Sequence, residues 1–116
     1  MSRNTARVVA LADYRGRQRI VYFARSELNQ LLGLYSRHVM RGEWRDYAID
    51  HGPGTARFSV FRHTHEAPAF VILKLASTPA KPAEFVVQSG RQRLRSARSL
   101  TEALDYFRTI LSLVTA

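Results

Sequence analysis

Cysteine is absent from the 116 residues. Its absence excludes disulfides, thiolate metal sites, iron–sulfur clusters and cysteine nucleophiles together, and it fits a reducing compartment. Acid is scarce: nine Asp and Glu stand against eighteen Lys and Arg, a formal net charge of +9. Lysine itself is nearly missing, with only Lys74 and Lys81. No apolar stretch approaches the roughly eighteen residues of a membrane span. The start, Met1-Ser2-Arg3-Asn4, has neither the apolar core nor the cleavage site of a secretory signal, so a cytoplasmic location is expected. The length leaves no room for a separate cofactor domain.

What is present suffices for a core. The chain is 46% hydrophobic with six Phe and five Tyr, which argues against global disorder. Its charge is concentrated. Residues 1–19 carry Arg3, Arg7, Arg15, Arg17 and Arg19 against Asp13, and residues 91–98 carry Arg91, Arg93, Arg95 and Arg98 with no acid. Elsewhere the chain is close to neutral. A clustered excess points to an anionic partner more strongly than a diffuse one does.

Residues 1–18 read as a basic flexible tail with one apolar patch, Val8-Val9-Ala10-Leu11, and residues 19–116 as a single domain. Ile20-Val21-Tyr22-Phe23 is β-branched and aromatic and reads as a strand. Ser26 then fits an N-cap, with Glu27 in the first turn. Leu28, Leu31, Leu32, Tyr35 and Val39 recur at the helical period, and Gly42 sits where a left-handed C-terminal residue belongs. Trp44 to Asp50, Ala56 to His63, Phe70 to Leu75, Glu84 to Gln88 and Arg91 to Ser96 read as strands. They are separated by the turns His51-Gly52-Pro53-Gly54, Thr64 to Pro68, Ser77 to Pro82 and Ser89-Gly90. Ser99-Leu100-Thr101-Glu102 is a capping box opening a last amphipathic helix through Leu100, Ala103, Leu104, Phe107, Leu111 and Val114. Short connections favour antiparallel pairing. The expected architecture is α+β: an antiparallel sheet of about five strands with two helices on one face.

From Ile20 to Leu104 the sequence resembles a bacterial domain-of-unknown-function family, number 2794. The resemblance is carried by Gly42-Glu43-Trp44-Arg45-Asp46-Tyr47-Ala48-Ile49-Asp50 after a helix bearing Glu27-Leu28-Asn29 and Tyr35, then by Phe58 to Arg62, Glu66 and Pro68, and more weakly by Leu94-Arg95 to Leu100. It implies no activity. Within it, Glu43, Trp44, Arg45, Asp46, Tyr47, Asp50, Arg62 and Glu66 are expected to be structural. Two departures stand out. A basic pair after Phe61 is here Arg62-His63, and Val71 and Leu73 stand where charge would alternate. Phe70 to Leu75 is therefore apolar on both faces, which a one-sided sheet does not require. Its second face, with Val71, Leu73 and Leu75, is expected to be covered by the N-terminal patch or by another protomer.

Arg91, Arg93 and Arg95 alternate along a predicted strand, which places them on one face about 7 Å apart, a spacing suited to successive phosphates. Arg98 extends the row, and Arg15, Arg17 and Arg19 supply the tail. The same charge on an edge strand also blocks aggregation. Phe61, Tyr22 and Trp44 are candidate stacking rings, although rings in strands more often belong to the core. His63, His65 and Glu66, with His51 across a hairpin, lack an obvious fourth ligand, so no metal is expected. Among Glu43, Arg45, Asp46 and Asp50, two carboxylates near a cleft could serve as acid and base. Arg45 and Asp46 are expected instead to fix the turn after the helix through ion pairs and backbone hydrogen bonds, and Arg62 and Glu66 to pair across the next hairpin in the same way. The expectation is a binding module, not an enzyme, with no cofactor and no membrane or small-molecule ligand. It contacts nucleic acid through phosphates or, alternatively, acts as a protein-interaction or homodimeric subunit through strand 70–75.

Overall fold

A computed structural model describes residues 19–115, and the side chains of residues 19–108. Helix α1 (Arg25–Met40) buries Leu31, Leu34 and His38, a stripe at three- and four-residue spacing. Val39, expected on that stripe, is 40% exposed. The N-cap is Ala24 rather than Ser26. Alanine has no cap oxygen, but Glu27 Oε1 accepts from the Ala24 N–H at 2.6 Å, supplying half of a capping box. At the other end the N–H of Gly42 donates to Val39 O and that of Glu43 to His38 O, both at 2.9 Å. This is a Schellman closure, and Gly42 meets its left-handed requirement with φ 73°.

Five strands follow: β1 (Asp46–Gly52), β2 (Thr55–Phe61), β3 (Phe70–Leu75), β4 (Glu84–Ser89) and β5 (Gln92–Ala97). They form one antiparallel sheet in chain order. Pro53 and Gly54 (φ 75°) make the β1–β2 connection, the residue pair a type II turn prefers. Ile20 to Phe23, expected as a strand, makes only one bridge, Ile20 to Pro53. The flanking bonds are Val21 N–H to Gly52 O and Gly54 N–H to Arg19 O. Helix α2 (Leu100–Thr115) starts after Ser99, whose Oγ accepts from the Glu102 N–H at 3.2 Å.

Cross-strand partners share a face. Tyr47, Ile49, Ala56, Phe58, Val60, Phe70, Ile72, Phe85 and Val87 lie on one side through these pairings. Leu31 and Leu34 of α1 and Leu100, Ala103 and Phe107 of α2 pack with them into a single core. The fold is thus α+β, both helices on one sheet face. The tail expectation for residues 1–18 lies outside the described residues.

Candidate nucleic-acid interface

The arginine row depends on regular alternation along β5, and β5 is not regular. Val87 pairs with Arg95 and Gln88 with Arg93, leaving Leu94 as an extra, bulged residue. Leu94 packs against the core. The bulge returns Arg95 to the helix side, where its Nη1 donates to Glu102 O at 3.2 Å. Arg93 stays on the opposite face and reaches Glu84 Oε1 at 3.6 Å. Only Arg91 and Arg98 have no side-chain partner among the described residues, and they stand beyond opposite ends of β5. The expected one-face ladder of Arg91, Arg93 and Arg95 is therefore broken. Arg19 lies beside the Pro53-Gly54 turn, at the end of the sheet away from Arg91. Arg15 and Arg17 lie outside the described residues.

Cations gather instead where α1 ends, β1 begins and β2 ends. The Schellman turn delivers Trp44 into the core at 2% exposure. Its ring stacks on His38 (centroids 3.9 Å apart, planes 12°) and meets Phe107 edge-on at 5.6 Å. His38 Nδ1–H donates to Glu43 Oε2 at 2.9 Å, while its buried Nε2 has no hydrogen-bond partner among the described residues. Glu43 is thereby held at the turn. The backbone bond from Arg45 N–H to Phe61 O (2.8 Å) fixes the start of β1 against the end of β2. Between them lies an open hollow of about 310 Å³ lined by Gly42, Glu43, Arg45, Arg62 and His63. Arg45, Arg62 and His63 have no ion-pair or hydrogen-bond partner for their side chains among the described residues.

The other motif residues are structural or solvent-facing. Asp46 Oδ1 accepts from the Tyr47 N–H at 2.8 Å. The Tyr47 ring packs against Tyr35 and Phe58, at 4.8 and 5.5 Å. Burial first, then the Asp46 charge and Tyr47, hold the Tyr35 phenol above its ordinary value. Asp50 is exposed opposite Arg57, and Glu66 is exposed in the β2–β3 connection without an ion pair to Arg62. Trp44 is too buried to stack on a base, Phe61 is half-buried, and Tyr22 is 62% exposed beside His51 at 5.0 Å. Val71, Leu73 and Leu75 do share the face away from the helices, paired with Ser59, Arg57 and Thr55.

By composition His38 reads, with Arg37 and Arg41, as a basic residue of the last helical turn, yet it is buried. Its signal was positional, because it continues the Leu31, Leu34 stripe four residues on. Among the described residues no group of three or more His, Asp or Glu is placed to hold a metal ion. Nor is any described helix long and apolar enough to cross a membrane.

Together these features define a small α+β domain on a five-stranded meander, with unpaired cations at one end of its sheet. The chain belongs to the family described as protein of unknown function (DUF2794), whose model matches residues 21–104. No curated protein and no solved structure matches the chain.

Proposed function

We propose that this is a cytoplasmic, non-enzymatic binding module that contacts nucleic acid through phosphates at the Arg45–Arg62 end of its sheet. The hollow carries this reading: Arg45, Arg62 and His63 converge there, and its one carboxylate, Glu43, is engaged by His38. Guanidinium forks suit phosphate oxygens. Arg91, in the β4–β5 turn at the same sheet end, extends the contact across the strands. Phosphate contacts of this kind position a chain without reading its bases.

Fluorescence anisotropy with a labelled single-stranded oligonucleotide, titrated between about 50 and 200 mM salt, tests it. Affinity falls with salt, and Arg45→Gln with Arg62→Gln flattens the log–log slope by about 1.4, at ~0.7 per phosphate contact. Arg98→Gln, at the other sheet end, leaves the slope almost unchanged. Absence of binding at the lowest salt sinks the reading. The second reading, a protein or homodimer interface on Val71, Leu73 and Leu75, draws on the apolar character of their shared face. Such an interface tolerates salt and responds to Val71→Arg instead.

A further inference from the structure

The basic side chains at the Arg45–Arg62 end of the sheet meet at a point rather than along a line. Arg45 stands just before β1, and Arg62 and His63 stand just after β2. The bond from Arg45 N–H to Phe61 O at 2.8 Å draws these segments together, so that all three side chains line one hollow. None of the three has a hydrogen-bond or ion-pair partner among the described residues. Strand β5 supplies no track leading on from it, because the Leu94 bulge sends Arg93 and Arg95 to opposite faces.

Acid borders this point. Glu43 is part of the lining, tied to His38 Nδ1–H rather than to either arginine. Exposed Asp46 follows Arg45 directly, and exposed Glu66 donates its backbone N–H to His63 O at 3.3 Å. A strand threading through the hollow sets its next phosphates, on both sides, against these carboxylates, and like charges at close range repel. A strand that ends in the hollow has one neighbouring phosphate to place instead of two. Arg91 offers that phosphate a cation, two to three strand spacings or about 12 Å across the same sheet end.

Charge and oxygen count separate the two kinds of phosphate. An internal phosphodiester has a single negative charge shared by a pair of free oxygens. A phosphate monoester carries about 1.5 to 2 negative charges at neutral pH and three free oxygens. The two guanidinium groups of Arg45 and Arg62 match the monoester's charge, and with the His63 ring they make three donor groups for its three oxygens. Resting on the phosphate-contact reading above, we propose that the hollow seats the terminal phosphate monoester of a nucleic-acid strand, with the strand leaving towards Arg91. The bordering carboxylates then disfavour a continuous backbone and spare a chain end.

The test uses the full chain and one internally labelled single-stranded oligonucleotide in three forms: with a 5′-phosphate, with a 3′-phosphate, and with hydroxyls at both ends. Anisotropy is read for each at the same ionic strength. A phosphorylated form binds about tenfold more tightly than the hydroxyl form, as one strong charge-assisted contact gives, and which form does so identifies the end. Arg45→Gln with Arg62→Gln abolishes that preference at unchanged circular dichroism. Arg91→Gln weakens the binding of all three forms and keeps the preference. Equal, salt-dependent affinity for the three forms overturns this proposal while the phosphate-contact reading stands. Absence of binding by any form removes both. A preference that survives the double substitution puts the terminal phosphate elsewhere and overturns the proposal as well.

Discussion

Where β1 turns into β2, Lys74 Nζ donates to Glu27 Oε1 at 2.7 Å and to Tyr22 O at 2.8 Å, and Glu27 also caps α1. At the opposite end, Arg45, Arg62 and Arg91 have no partners among the described residues. The difference follows from burial. The Lys74 and Glu27 side chains keep 25% and 17% of their exposure, so a missing partner there leaves a poorly solvated charge. The three arginines are exposed and lose little by standing alone. One end uses charge to hold the fold, and the other leaves its charge exposed to solvent.

The contrast breaks first at the core of the basic end. Trp44→Ala removes the ring on which His38 stacks and should cost about 3–5 kcal/mol in urea unfolding. A cost below ~1 kcal/mol would mean that the Schellman turn and the hollow do not depend on this packing. Lys74→Met, at the other end, strands the Glu27 carboxylate and should cost about 1–3 kcal/mol. Arg45→Gln should stay within about 0.5 kcal/mol of the parent, as an exposed, unpaired side chain does. Equal costs at Lys74 and Arg45 would erase the distinction. The smallest effect is alkaline. Because Tyr35 holds its proton above the ordinary 10.0, its contribution is full below that pH and is lost as pH rises through the folded value. Tyr35→Phe should therefore lose less stability than the parent between about pH 9 and 11, measured by denaturant midpoints.

Most of the fold was legible because it is written locally. Alternating Ala56, Phe58 and Val60, the Gly42 stop and the Ser99 cap each act within a few residues. The departures lie where distant contacts decide. Ser26 looks like a cap, yet α1 begins a residue before it because Glu27 satisfies the Ala24 N–H while Lys74, 47 residues away, anchors that carboxylate. Ile20 to Phe23 has strand composition, but its one bridge among the described residues is Ile20 to Pro53 at the β1–β2 turn. The bulge at Leu94 needs no glycine, so nothing in Arg91 to Arg95 announces that the row is split. Arg45 and Arg62 were legible only as members of a motif. Their convergence is produced by the pairing of Asp46 with Phe61.

That the strands neighbour each other in the order they are synthesised has a kinetic side. Each pairing joins one segment to the next, so no strand waits for a distant partner before it is protected. Contacts of short sequence separation favour rapid folding, which for a mixed domain of this size falls between the microsecond bundles and the slow sandwiches. Each strand has a neighbour available as soon as the following segment emerges, and the interval in which a bare β edge invites aggregation is short.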